Sequence, residues 1–337
     1  MFKPSNVAPA ADPPSSISAQ EADAAFSVSE PYRSLLLAVS GGSDSMALLH
    51  LVNEWRARHE KNVTFIVASI DHRLRSASAE ECAFVAAVCA SRDIPHIQLV
   101  WEGAKPVTGI QEAARNVRYK LLADCARANA CQAIVTAHTL NDQAETVLMR
   151  LIRGSGLQGL QAMSNVSEIE NLPLLRPFLH FEHERLRANL REASIAWCED
   201  ASNQDGRFLR PRLRKLMPLL EKEGLDSARL EKFAKKIARA NAALDKSASD
   251  LFTQMTSQGL ERKTYRLAPE EIRLRALKLM IASICPLAYP PADAALEDLD
   301  TALIGNNPIR RTLAGVIFSA GERYMRFKDE NDPRQFK

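Results

Sequence analysis

No two of the six cysteines form the C-x-x-C pair that zinc ribbons, iron–sulfur sites and dithiol redox centres use. Cys82, Cys89, Cys125, Cys131, Cys198 and Cys285 therefore read as reduced thiols of a cytoplasmic protein. Long apolar runs are missing too. A stretch such as Leu35 to Val39 falls far short of the roughly eighteen residues that cross a bilayer, so no membrane span is expected. Charge of one sign is also scarce: 44 basic against 41 acidic residues leave +3, too little for bulk charge to argue for a polynucleotide partner, although local patches still can. The first thirty residues are rich in Ala, Ser and Pro, hold four acids and one base, and lack the basic start and apolar core of a signal peptide. A disordered leader over residues 1–30 is the expectation. What the chain does have is 337 residues, 46% of them apolar and 25% charged, enough for about two domains of roughly 150 residues each.

From Ser34 the composition changes. Leu35 to Val39 suits a strand buried on both faces of a parallel sheet, and Val63 to Ile70, Ile94 to Val100 and Ala133 to Ala137 repeat it. Helical stretches near Ser45 to His59, Ala79 to Ser91, Ile110 to Ala130 and Asn141 to Arg153 alternate with these runs. The alternation predicts a doubly wound, mainly parallel α/β sheet whose ligands sit at the carboxyl ends of its strands. After Gly159 the rhythm breaks, and Pro173, Pro177, the polar stretch Glu199 to Gly206 and Pro211 punctuate a connecting region. The expected division is an α/β domain over residues 31–212 and a smaller, mostly helical C-terminal domain over residues 213–330. Its parts are a charged helical stretch from Leu213 to Ser249, a helix from Glu270 to Ser283, and a terminal hairpin built from Thr312 to Phe318 and Arg323 to Lys328.

The first strand ends in Ser40-Gly41-Gly42-Ser43-Asp44-Ser45, and an apolar helix follows. Adjacent glycines let backbone amides approach a phosphate, and the helix start adds free N–H groups and a positive dipole end. A tight turn capped by Ser43 or Ser45 is the plainer explanation of a bare Gly-Gly; the order strand, glycines, hydroxyls, helix favours an anion cradle. It has neither the lysine of a Walker A loop nor the third glycine of the dinucleotide fingerprint. Asp44 beside a phosphate repels it unless a divalent cation intervenes, which implies Mg2+; its plain role is a favourable acid in a first helical turn.

Further along, Arg115 and Arg118 lie three apart on a predicted helix, where they either pair with Glu112 and solvent or lend charge to a nucleotide. Thr139 and Asp142 have the spacing of a capping box, and Asp142 and Glu145 share a helix face at a strand's carboxyl end, where two carboxylates can grip a cationic amino acid. His180 and His183 have metal-pair spacing but no convincing third ligand. Arg207, Arg210, Arg212, Arg214 and Lys215 put five bases in nine residues, either a solvated face or a polyanion contact.

The Ser-Gly-Gly-x-Asp-Ser loop resembles that of the N-type ATP pyrophosphatases, the PP-loop superfamily with its adenine nucleotide alpha hydrolase-like fold. Further segments resemble the tRNA(Ile)-lysidine synthetase family and occur in that family's order: Asp71-His72-Arg73-Leu74-Arg75, Gln111 to Tyr119, Ala137 to Thr146, and Arg153-Gly154-Ser155-Gly156-Leu157-Gln158-Gly159-Leu160. Arg176-Pro177, Glu199 to Asn203 and Arg210 to Arg214 extend the likeness to about Ser34–Leu220, with Pro211 where the family usually has asparagine. The resemblance implies ATP-dependent attachment of free L-lysine to position 2 of the wobble cytidine in the CAU anticodon of tRNA(Ile). The path is an adenylated tRNA, and the by-products are AMP and pyrophosphate. It implies that Ser40, Gly41, Gly42, Ser43, Ser45 and Arg115 hold ATP, that Asp44 carries Mg2+, and that Asp44, Arg118 and His138 serve adenylation. Asp142 and Glu145 are assigned to lysine, and Arg207, Arg210, Arg212 and Arg214 to tRNA. Longer members carry an additional C-terminal domain that this chain is expected to lack, and a homodimer stays open. Two rivals remain. A sulfur-inserting tRNA enzyme of the 2-thiocytidine type is disfavoured by the missing C-x-x-C, and a catalytically silent tRNA-binding protein by the intact Asp44, His138, Asp142 and Glu145.

Overall fold

The structure, a computed structural model, describes residues 15–59, 63–74, 77–106, 108–199, 209–285 and 291–332. It divides into two compact units, residues 1–234 and 235–337.

In the first unit, strands β1 (Ser34–Ala38), β2 (Thr64–Asp71), β3 (His96–Val100), β4 (Ala133–Val135), β5 (Val166–Ile169) and β6 (Leu172–Leu175) form one sheet in the order β3-β2-β1-β4-β6-β5. All neighbours run parallel except the β5–β6 hairpin at the edge. The helices are α1 (Ala19–Phe26), α2 (Ser43–Arg58), α3 (Ala77–Ala90), α4 (Ile110–Ala128), α5 (Leu140–Ile152), α6 (Leu157–Leu160), α7 (His183–Glu192) and α8 (Leu209–Lys222). α9 (Ser227–Thr253) starts in this unit and ends in the next.

The apolar run of β1 feeds two cores because successive strand residues face opposite sides. Leu35 and Leu37 join the cluster formed with α1, α2 and α7, while Leu36 and Ala38 join the cluster against α4. Each buried leucine contributes about 1.5–3 kcal/mol, which is why a continuous apolar run, not an alternating one, marks the central strand.

The leader expected over residues 1–30 is corrected for residues 15–30; residues 1–14 lie outside the described residues. Ser18 and Glu21 make a capping box, with Glu21 N donating to Ser18 Oγ at 3.3 Å and Ser18 N to Glu21 Oε2 at 2.9 Å. Phe26 is fully buried, its ring 5.3 Å from that of Trp55 and 5.5 Å from that of Phe178. Arg185 forks Glu21 at 2.9 and 2.8 Å and holds that carboxyl down to about 2.

The domain boundary expected near Leu213 is also corrected: the units part between Ala234 and Lys235. Leu213 of α8 packs with Ala144, Val147 and Leu148 of α5 and with Leu230 and Ala234 of α9, which binds α8 and the start of α9 into the first unit. Pro211 lies in the first turn of α8, where its missing N–H has no intrahelical partner to lose.

The second unit pairs β7 (Leu260–Glu261), β10 (Tyr324–Asp329), β9 (Val316–Ala320) and β8 (Ile309–Leu313) as an antiparallel sheet in that order. With it come α10 (Arg262–Leu267), α11 (Glu270–Ile284) and α12 (Asp293–Ile304). The expected hairpin is thus widened to four strands, because the stretch read as one strand from Thr312 to Phe318 turns at Ala314 (φ +53°) and Gly315 (φ +77°). Among the described residues no helix is long and apolar enough to cross a membrane.

Candidate active site

The strand order reverses between β1 and β4, and the carboxyl ends of these two strands open a crevice, the usual ligand position in such sheets. A cavity of about 1150 Å³ lies there. Ser40, Gly42, Ser43, Asp44 and Ser45 form one wall, Thr136, His138, Asp142 and Glu145 a second, and Arg118, Arg187, Arg210 and Arg214 supply its guanidinium groups.

The phosphate loop is held from within. Ser45 Oγ donates to Gly42 O at 2.9 Å and accepts from Ser40 N at 3.1 Å, which folds the loop over the start of α2. Gly42 caps α2 without a side chain, so the first N–H groups of the helix face the cavity. Gly41 adopts φ +89°, the region that only glycine enters without strain, and its carbonyl accepts from Cys198 N at 2.9 Å. A Cβ on Gly41 would lie 3.5 Å from Cys198 Sγ, an ordinary contact, so it is the backbone angle that calls for glycine.

Asp44 points inward from the first turn of α2, and its Oδ1 is buried without a hydrogen-bond partner among the described residues. Burial, reinforced by the like charge of Asp142, pushes its carboxyl up to about 7, against the pull of Arg187 and Arg214. No cluster of three His, Cys, Asp or Glu side chains able to hold a metal exists among the described residues. A cation at Asp44 would take the rest of its shell from phosphate oxygens and water, as Mg2+ commonly does.

His138 follows β4, and its Nδ1 lies 2.8 Å from Thr136 Oγ1. Burial, with Arg118, Arg176 and Arg115 adding repulsion, brings the imidazole down to about 3 despite Asp142, so it is neutral near pH 7. Nε2 has no protein partner among the described residues. Thr139 and Asp142 form the expected capping box: Thr139 N donates to Asp142 Oδ2 at 2.9 Å and Asp142 N to Thr139 Oγ1 at 3.4 Å.

Glu145 and Arg214, assigned from sequence to lysine and to tRNA, meet each other instead. Arg214 Nε donates to Glu145 Oε1 at 2.6 Å, with Arg210 Nε 3.9 Å from Oε2. Glu145 is 3% exposed; burial pushes its carboxyl above the usual range and Arg214 holds it back. Arg212 is exposed, on the opposite side of α8 from that pair, and lies outside the cavity. Arg115 is also exposed and outside the cavity, its guanidinium 5.0 Å from the centre of the Tyr119 ring. Arg207 lies outside the described residues. His180 pairs with Glu231 at 2.5 Å, and His183 lines the cavity.

Helix α7 lies outside the helices expected from the sequence. Its Arg187 reaches back to the loop, with Nε 3.3 Å from Ser43 Oγ and a guanidinium nitrogen 2.8 Å from Glu184 Oε1. Nothing in the local sequence marks this arginine, since the contact comes from α7 packing on α2 through Leu186 and Leu190.

A family model described as a PP-loop domain matches residues 14–220. A tRNA(Ile)-lysidine synthase of Bradyrhizobium sp. (strain BTAi1) is 40% identical over 92% of this chain and 94% of its own length. One of Rhodopseudomonas palustris is 41% identical over the same shares. Among solved structures, a U34-tRNA thiolase from Methanococcus maripaludis superposes with a TM-score of 0.56 at 14% identity, over 66% of this chain and 77% of that one. This last likeness shows the fold alone.

Proposed function

Since the chain belongs to the PP-loop family and, within it, to the tRNA(Ile)-lysidine synthases, we infer that its crevice adenylates the wobble cytidine of tRNA(Ile) and then joins lysine to it. The protein is an ATP-dependent ligase that forms lysidine. The observation that carries the assignment of this cavity is the meeting of the phosphate loop, Asp44, His138 and Asp142 at one strand-order reversal.

Position 2 of cytosine is a poor electrophile because the ring nitrogens feed it electron density, and its oxygen is a poor leaving group. Adenylation removes both obstacles. The base lies in the single-stranded anticodon loop, so it enters a pocket at little unpairing cost. The carbonyl oxygen attacks the α-phosphate of ATP while the free N–H groups at the start of α2 hold the departing pyrophosphate. Asp44, through its unpartnered Oδ1, would hold Mg2+, which when bound would neutralise charge on the phosphates. His138, neutral and held at Nδ1 by Thr136 Oγ1, acts in the tautomer protonated at Nε2 as a neutral donor to charge developing on the transferring phosphate. Free lysine then attacks ring carbon 2 and AMP leaves. The amine must lose a proton, and Asp142 is the carboxylate of this wall that an arginine does not directly pair. We assign Asp142 as the main contact for the lysine amine and Glu145 as its buried neighbour, held in place by Arg214. Six free cysteines suit the reducing cytoplasm in which we place it.

The test is turnover with ATP, Mg2+, lysine and a CAU-anticodon tRNA(Ile) transcript. AMP and pyrophosphate should appear in step with lysine incorporation, and each omission should stop it. Production of ADP, or AMP release that ignores lysine, is the outcome that overturns this reading.

A further inference from the structure

The phosphate loop contains no lysine, and the cavity around it is lined by nine carboxylates against four arginines. A bound triphosphate therefore needs a cation delivered from elsewhere in the fold. Arg214 and Arg210 are occupied by Glu145, at 2.6 and 3.9 Å. Arg118 sits on α4, where its charged neighbours are Arg115, Asp142 and Arg210. Arg187 alone of the four hydrogen-bonds a loop side chain, with Nε 3.3 Å from Ser43 Oγ, and it also faces Asp44. One of its terminal nitrogens donates to Glu184 Oε1 at 2.8 Å; the other, Nη2, has no protein acceptor among the described residues.

We propose that Arg187 is the counter-charge of the phosphate loop, binding the β- and γ-phosphates of ATP and the pyrophosphate they become. The inference rests on the adenylation step above. In that step the bond from the cytidine oxygen to the α-phosphorus forms as the bond from that phosphorus to the β-bridging oxygen breaks. The electron pair leaves on pyrophosphate, beside the Ser43 end of the loop where Arg187 stands. A planar guanidinium with one edge fixed by Glu184 keeps its Nε and Nη2 edge towards the loop, so little rotamer freedom is lost when phosphate arrives. Glu184 is a positioning residue in this scheme. A packing role for Arg187, pinning α7 to α2 through Ser43, makes a different prediction, because it ties every ligand to the same loss of stability.

The experiment is calorimetric titration of the full chain with inorganic pyrophosphate, ATP and AMP, each in the presence of Mg2+. For Arg187→Gln, pyrophosphate and ATP should bind about ten- to a hundredfold more weakly, the worth of one charge-assisted contact, while AMP affinity stays within about twofold. Arg187→Lys should recover part of the loss, keeping the charge but not the fork. Unchanged pyrophosphate affinity in Arg187→Gln overturns the proposal, and so does an equal loss for AMP, which is the packing outcome. If the unaltered chain binds pyrophosphate in this Arg187-dependent way yet forms no lysidine, the functional reading fails and the Arg187 assignment stands.

Discussion

Asp44 shows how one side chain serves two demands. A carboxyl pushed up to about 7 by burial is half-protonated near neutrality in the ligand-free protein, whereas a cation between it and a phosphate requires the ionised form. Its folded pKa lies above the ordinary 3.8, so between those values the native chain holds a proton that the unfolded chain has released. The Asp44 contribution to the stability of the ligand-free protein therefore falls as pH rises from about 4 to about 7, and its full penalty is present above that window. Asp44→Asn removes it. Urea unfolding should show the variant gaining stability relative to the unaltered chain as pH rises from about 4 to about 7, with the full gain present at about pH 8. The same variant should lose roughly two orders of magnitude in AMP formation, because the amide keeps the shape without the charge. An unchanged pH dependence of stability contradicts the burial argument; full turnover contradicts the metal role. His138, held down to about 3 against 6.5 in the unfolded chain, contributes in the opposite direction between those values, so the Asp44 effect is read as the difference between variant and unaltered chain.

At the scale of elements, α5 and α8 are joined by the Glu145–Arg214 pair across 69 residues of chain. Removing Arg214 strands a carboxylate that is 3% exposed, although Arg214 itself is 42% exposed, which lowers the cost below that of a fully buried pair. Arg214→Ala should destabilise by about 1–3 kcal/mol, and Glu145→Gln added to it should restore part of that, as a double-mutant cycle in urea measures. Strict additivity sinks the coupling. The main elements were legible because each of β1 to β4 is a compact apolar run closed by a turn, and the loop was legible because its glycines and hydroxyls follow one of those runs. Other parts were hidden for separate physical reasons. α1 is an Ala-rich segment whose composition reads as disorder, and its order comes from Phe26 reaching Trp55 and Phe178. β6 carries Pro173, usually a strand breaker, at a position paired by β5 alone because β4 reaches only Leu174 and Leu175. The Glu145 pairing was missed because a helix face seen in sequence shows two carboxylates side by side but not the arginine that another helix brings to one of them.

For the whole molecule, a net charge of +3 gives tRNA no bulk attraction, so discrimination between ligands rests on where the bases are placed. The basic cluster read from sequence as one patch splits by helix face. Arg210 and Arg214 turn towards Glu145, and Arg212 faces solvent. Arg212→Gln should weaken tRNA binding and reduce the slope of log affinity against log salt by about one, leaving ATP affinity alone. Filter binding over a salt series checks it, and an unchanged slope removes Arg212 from the tRNA contact. The strand-order reversal that creates the crevice also sets a schedule. Ser43 and Arg187 stand 144 residues apart, so the loop leaves the ribosome on the order of 10–30 s before its arginine does. A nascent chain stalled between the two has the backbone amides of the loop but lacks the arginine we propose as its counter-charge. ATP therefore stabilises such a fragment less than it stabilises a first unit with α7 in place.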